Sequence, residues 1–304
     1  MRRVVAIANG KGGVGKTSLT AGLAGLVAAA GYRVLVIDTD PQGNMRRDLG
    51  YEAENQDSLA LSILHGLPIH IQRDIRPNLD VIAGGPSLYD IPTAFISRGA
   101  RGEALAGLGS VLDQVRPQKP HADYDLVLVD TPPGEPVLQD IVFAAADYLI
   151  IPTRSDEASL DGLVVVAQRF AAARVSNPSL ELLGVLLFGV RAGSKRLRET
   201  VRIALEETLD GAAPVFEASI RYLESAAVDM RRHGLLPHEL EKGQQSQQKK
   251  RLSRLRGGAK PVPEEDLLSR DASGLAGDYT ALAREVLGAI AARESTKAPV
   301  AVAR

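Results

Sequence analysis

The chain has 304 residues, 45% of them hydrophobic and 24% charged, which is enough for one large α/β domain or two modest ones and excludes global disorder. It contains no cysteine, which excludes disulfides, thiolate zinc sites and cysteine-ligated iron–sulfur clusters. The formal net charge is −1, so the chain is not globally basic, yet residues 242–260 hold seven basic residues and no acidic one.

Val4 to Ala8 is a short apolar run and predicts a buried strand. It leads into Asn9-Gly10-Lys11-Gly12-Gly13-Val14-Gly15-Lys16-Thr17-Ser18, and a helical pattern follows with Leu19, Leu23, Leu26 and Val27 on one face. From Gly10 to Thr17 this fits the phosphate-loop pattern G-x-x-x-x-G-K-S/T, here in the strand–turn–helix setting the pattern requires. Glycines at 12, 13 and 15 let the backbone turn its N–H groups inward on phosphate oxygens, and the helix that starts there adds the positive end of its dipole. The nucleotide-binding stretch is therefore Gly12, Gly13, Val14, Gly15, Lys16, Thr17 and Ser18, with Lys16 reaching the β- and γ-phosphates and the Thr17 hydroxyl ligating Mg²⁺. Phosphate cradling does not require Lys11, a second lysine inside the loop.

Arg33 to Asp38 reads as a second buried strand, ending in Asp38-Thr39-Asp40-Pro41-Gln42-Gly43-Asn44. Two carboxylates at a strand tip beside a phosphate loop stand where α/β sheets place their ligands. Residues 45–75 read as helix and loop, Asn78 to Gly85 as a strand and turn, and Leu105 to Val115 as a helix. Asp125 to Asp130 is an apolar strand ending in an acid, followed by Thr131-Pro132-Pro133-Gly134; a carboxylate there can hold Mg²⁺, commonly through water. Tyr148 to Thr153 and Leu182 to Val190 are further strands, with helices expected over Ser155 to Arg174 and Ser194 to Leu209. Ala213 to Ile220 is a last short strand, and a terminal helix is expected over residues 275–293. Strands alternating with helices predict an α/β fold, a mostly parallel twisted sheet with helices on both faces.

These segments resemble the deviant Walker A family, the ParA/MinD ATPases. The family's K-G-G-x-G-K-T/S motif matches every position from Lys11 to Thr17, the D-x-D-P-Q-G-N segment matches Asp38 to Asn44, and D-T-P-P-G matches Asp130 to Gly134. The resemblance covers about residues 1–240 and the terminal helix, and implies a P-loop ATPase that uses ATP and Mg²⁺. By it, Lys11 reaches across a dimer interface to the partner's ATP, Asp40 orients or activates the attacking water, and Asp38 supports the hydrated Mg²⁺ beside Thr17 and Asp130. Lys11, Lys16 and Asp40 are thus the catalytic set. Phe188-Gly189-Val190-Arg191 departs from the family's adenine-binding segment, which leaves the base contacts open, and no N-K-x-D guanine motif is present.

The chain looks like a ParA-type partition ATPase, a single domain over residues 1–294 with a disordered tail at 295–304. The family implies an ATP-dependent homodimer, binding to duplex DNA without sequence preference, and hydrolysis stimulated by a ParB-like centromere-binding adaptor. The expected location is cytoplasmic and nucleoid-associated, because no signal peptide or long apolar span is visible. Two basic sets are candidates for DNA contact: Lys195, Arg196, Arg198 and Arg221, and then Lys249, Lys250, Arg251, Arg254 and Arg256 within a glutamine-rich segment. Arg221 falls in a stretch similar to the family's v-R-l-x-E-A segment, although a surface or capping role fits it nearly as well. Residues 242–260 read as a basic, glutamine-rich loop or insertion, and a solvated linker is the other reading of their charge. The alternative function is a MinD-like positioning ATPase on a membrane surface, but residues 296–304 lack the large apolar face that insertion needs.

Overall fold

The computed structural model describes residues 3–101, 103–115, 124–191, 199, 202–203, 214–257, 268 and 274–297. The strands are β1 (Val4–Ile7), β2 (Val34–Asp38), β3 (Gln72–Arg76), β4 (Leu79–Ile82), β5 (Leu126–Asp130), β6 (Tyr148–Thr153), β7 (Glu181–Arg191) and β8 (Val215–Tyr222). They form one sheet in the order β3-β4-β2-β5-β1-β6-β7-β8. Every neighbouring pair is parallel except β3 with β4.

The apolar strand runs reflect burial on both faces of the sheet. Side chains alternate, so Val5 and Ile7 of β1, Val34 and Val36 of β2, and Leu126 and Leu128 of β5 enter one core. That core is closed by α1 (Lys16–Ala29), α8 (Glu224–His233) and α10 (Leu275–Lys297). Val4, Ala6, Leu35, Ile37 and Val129 enter the opposite core, beneath α3 (Ser58–His65), α5 (Gly107–Gln114), α6 (Pro136–Phe143) and α7 (Glu157–Ser176). The doubly covered, mostly parallel sheet expected from the sequence is present.

Several segments differ from the sequence reading. Residues 45–75 contain α2 (Met45–Leu49), α3 and also β3, an antiparallel edge strand whose polar Gln72-Arg73-Asp74 start hid it. A further helix, α4 (Asp90–Gly99), was not anticipated. The expected basic loop is a correction: through Gly257 it belongs to α9 (Pro237–Gly257). Proline occupies the first helical position, where its missing N–H is not needed, and Gln, Lys, Arg and Leu all favour helix. The Glu239 carboxylate accepts the Leu236 N–H at 2.8 Å at the helix start, and Leu240 is fully buried. α10 likewise runs to Lys297, past the expected end at 293, so residues 295–297 are helix and not tail. The expected helix over 194–209 lies mostly outside the described residues.

α2 and α8 end back to back. Both close on a left-handed glycine, Gly50 at φ 61° and Gly234 at φ 60°. The two backbones are so close that a Cβ on Gly234 would lie 2.3 Å from the Gly50 Cα. Arg76 fastens this corner. Its guanidinium donates to the Leu49 carbonyl at 2.8 Å, the Gly234 carbonyl at 2.7 Å and the Glu239 carboxylate at 2.7 Å, joining α2, α8 and the base of α9.

Candidate active site

The strand register assembles the site. Ile7 of β1 and Asp38 of β2 both pair with Asp130 of β5, so three carboxyl ends of strands finish side by side. The loop after β1 crosses above them, held by Asn9, whose side-chain amide donates to the Pro152 carbonyl at 2.8 Å and whose Oδ1 accepts the Lys11 N–H at 2.8 Å. Thr131 and Thr39 lock the neighbouring turns through hydroxyl bonds to the Ile7 and Asp130 carbonyls at 2.8 and 2.6 Å. Gly13 and Gly15 take positive φ, 75° and 87°, and α1 starts from Gly15 with its first carbonyl bond at 2.8 Å to the Leu19 N–H. A Cβ on Gly15 would fall 2.2 Å from the Phe188 ring, so glycine is needed there for both angle and space. Gly12 lies against Pro133 of the Asp130–Gly134 segment, and Val14 is fully buried.

Lys16 is 6% exposed, and its ammonium donates to the Lys11 carbonyl at 2.9 Å. Burial lowers its pKa, against the attraction of Asp130 and Asp40, which raises it. Asp38 accepts the Asp40 N–H at 3.0 Å and the Met45 N–H at 3.3 Å, and Asp40 accepts the Gln42 N–H at 2.9 Å. Burial is the main cause that pushes Asp38 up to about 7. It drives Asp130 well above the usual carboxylate range too, with the Asp38 charge adding to it and the Thr17 hydroxyl bond opposing it. Asp130 Oδ1 accepts the Thr20 hydroxyl at 3.4 Å, but Oδ2 is buried with no hydrogen-bond partner.

Three buried carboxylates thus face one buried ammonium, and one carboxylate oxygen is unpaired. That donor set fits a divalent cation. Among the described residues no group of three or more acids or histidines is close enough to hold a metal alone. The cation would therefore draw on Thr17, water and ligand phosphates, as Mg²⁺ sites commonly do.

The structure thus gathers Lys16, Thr17, Asp38, Asp40 and Asp130 at one point. Lys11 is on the rim, where its ammonium pairs with Asp156 at 2.7 Å, the two side chains 38% and 48% exposed. The Ser18 hydroxyl is turned to Asp48 at 2.7 Å, which leaves its backbone for the ligand. Arg221 is paired with Asp278 of α10 and lines the cavity that reaches Gly13, Gly15 and Ser18. Lys249 is exposed on α9, which also carries positions 250, 251, 254 and 256; Lys195, Arg196 and Arg198 lie outside the described residues. Sequence reasoning missed Asp156 and Arg154. The departure at 188–191 was the one available signal, and Phe188 in that segment lies against Gly15.

A family model described as an AAA domain (AAA_31) matches residues 2–182. The chromosome partitioning protein ParA of Caulobacter vibrioides is 36% identical over 189 residues, 61% of this chain and 68% of that one. The chain belongs to the ParA family of partition ATPases. The chromosome-partitioning ATPase Soj of Thermus thermophilus is 34% identical over 186 residues, with the same shares covered. Solved structures share the fold: the ATP complex of a Cyanothece McdA variant has a TM-score of 0.69 at 20% identity, covering 94% of this chain and 96% of that one. MinD of Pyrococcus horikoshii, complexed with Mg-ADP, has 0.58 at 19% identity, covering 95% and 98%. ParA proteins are ATPases, and the loop at Gly10–Thr17 is the element of this chain suited to that chemistry. The family model ends at residue 182, so β8, α8, α9 and α10 lie beyond it.

Proposed function

We propose that this ParA-family ATPase closes into an ATP-bound homodimer, binds duplex DNA without sequence preference in that state, and is released when a centromere-bound ParB-like adaptor stimulates hydrolysis. One observation carries the reading: Lys11 is a partly exposed cation on the rim of a site whose second lysine, Lys16, is buried. A second subunit can be reached by the first of these and not by the second. Across the interface, the Lys11 ammonium would neutralise phosphate charge that otherwise opposes closure.

Within one subunit, Lys16 exchanges the Lys11 carbonyl for β- and γ-phosphate oxygens. Thr17, Asp38 and Asp130 would hold Mg²⁺, which would supply charge neutralisation at the phosphates. Asp40, tethered by the Gln42 N–H, positions the attacking water and takes up its proton. The base enters a cavity of about 220 Å³ between α1, β8 and α10 that reaches Gly15 and Ser18, with Phe188, Tyr222 and Tyr279 among its walls. DNA contacts go to phosphates, through the basic residues of α9 and those at 195–198. Nucleoid association then follows from DNA binding.

Cosedimentation with ATP and Mg²⁺, run in parallel against DNA and against anionic liposomes, tests this. ATP-dependent pelleting with DNA alone supports it. Pelleting with liposomes alone would give the chain to the membrane-positioning branch of the superfamily.

A further inference from the structure

Arg154 follows β6, the strand that flanks β1 and so stands beside the phosphate loop. Its guanidinium packs on Gly189, where a Cβ would fall 3.0 Å from Nε, and lies over the Tyr222 ring at 5.7 Å from the centroid. Glycine and ring together hold the fork in place, and the ring face favours a cation there. Yet Nε is buried and has no hydrogen-bond partner among the described residues. The acids nearest in function are committed elsewhere: Asp156 to Lys11, and Asp48 to Ser18 and Arg231. A buried donor without an acceptor is costly, although the Arg154 side chain as a whole is only partly buried.

What satisfies that donor can be read from the cavity. Arg154 lines the same cavity of about 220 Å³ as Gly13, Gly15 and Ser18. Those residues present backbone N–H groups and the positive end of α1 to a ligand. Cationic fork, helix start and loop backbone thus line one cavity, whose other charged residues are Asp48, Arg221 and Arg231. Lys16 serves the far end of that ligand, beside Asp40 and Asp130, where the terminal phosphates belong. Ser18 and Arg154 mark the near end, toward Phe188 and Tyr222.

We propose that Arg154 is a phosphate-contacting residue, donating to the α-phosphate of the bound nucleotide from the base side of the loop. A planar fork suits this task, since it can give two parallel bonds to one phosphate while its face stays on Tyr222. The proposal rests on the phosphate-loop reading, and the test separates the two.

ADP affinity is measured by calorimetry for the wild type, Arg154→Gln, Arg154→Lys and Lys16→Ala, with a melt of each nucleotide-free protein. Arg154→Gln weakens ADP binding about 10- to 100-fold, as expected for a lost bond to a charged group. Arg154→Lys, which keeps the charge but loses the fork, recovers only part of that loss, and the nucleotide-free melting temperatures of both stay at the wild-type value. Wild-type affinity in Arg154→Gln overturns the proposal. So does a loss matched by a lower nucleotide-free melt, since that reports packing and not a phosphate contact. Wild-type affinity in Lys16→Ala would instead overturn the loop reading beneath it.

Discussion

The Arg221 guanidinium grips the Asp278 carboxylate with two hydrogen bonds, Nε to Oδ2 at 2.6 Å and Nη2 to Oδ1 at 2.8 Å, while the Arg221 N–H gives Oδ2 a third at 3.0 Å. The pair clamps the end of β8 to the first turn of α10. A side chain so engaged has a structural task whatever else it does. Arg221→Ala should lower stability by about 1–3 kcal/mol, a fall of a few degrees in Tm, with Asp278→Ala similar. Thermal melts without DNA check this. An unchanged melt combined with weakened DNA binding would show that Arg221 serves phosphates instead.

Asp40→Ala should still bind ATP but hydrolyse it on the order of 10²-fold more slowly, because only the water-positioning carboxylate is removed. Steady-state turnover and nucleotide titration read the two effects separately. Turnover at the wild-type rate would place the hydrolytic water elsewhere.

Lys11→Ala should keep nucleotide binding and stay monomeric with ATP and Mg²⁺. Asp156→Ala, which frees the same lysine from its partner at 2.7 Å, should dimerise at lower ATP concentration. Light scattering reads both. Normal dimers from Lys11→Ala would reduce that lysine to a solvated loop residue.

Gly15→Ala meets two obstacles, a φ of 87° and the Phe188 ring. Each is worth about 1–3 kcal/mol. Combining it with Phe188→Ala should relieve the steric part and leave the conformational part. The loss caused by Gly15→Ala should therefore be smaller in a Phe188→Ala background than in the wild type, with a remainder from the backbone angle; a double variant as stable as Phe188→Ala alone would show that the angle carries no penalty.

Glu239 at the base of α9 gives a pH dependence. Its burial raises the pKa, but the bonds from Arg76 and the Leu236 N–H prevail and hold it below the ordinary 4.5. A depressed folded value means stability present above the unfolded pKa and lost as pH falls through the folded one. Wild type should out-melt Glu239→Gln at pH 7, with the gap narrowing below about pH 4.5 and closing in stronger acid. A gap independent of pH would remove the charge from the explanation.

The sequence revealed most clearly what is buried on two sides. β1, β2, β5 and β6 are near-continuous apolar runs because both sheet faces are covered, and the site residues at their tips follow from that. β3 was hidden because an edge strand may carry Gln72, Arg73 and Asp74 toward solvent. α9 was hidden because its polar run has no apolar period, and what anchors it, Arg76 to Glu239, spans 163 residues of chain. Asp156 and Arg154 were invisible for a similar reason: their partners, Lys11 and Tyr222, are neighbours only after β6 has been laid against β1 and β7.

The corner at Gly50, Gly234 and Arg76 has a mechanical meaning. Asp38 anchors the first residue of α2 through the Met45 N–H, and the last turn of α2 is bolted to the root of α9. At 21 residues, α9 is about 32 Å long. A tilt of about 10° at its root, which a small shift of α2 could impose, would swing the far end by roughly 5 Å, more than a phosphate contact tolerates. The root of the long basic helix is thus joined, through two glycines in contact and Arg76, to the turn that follows Asp38.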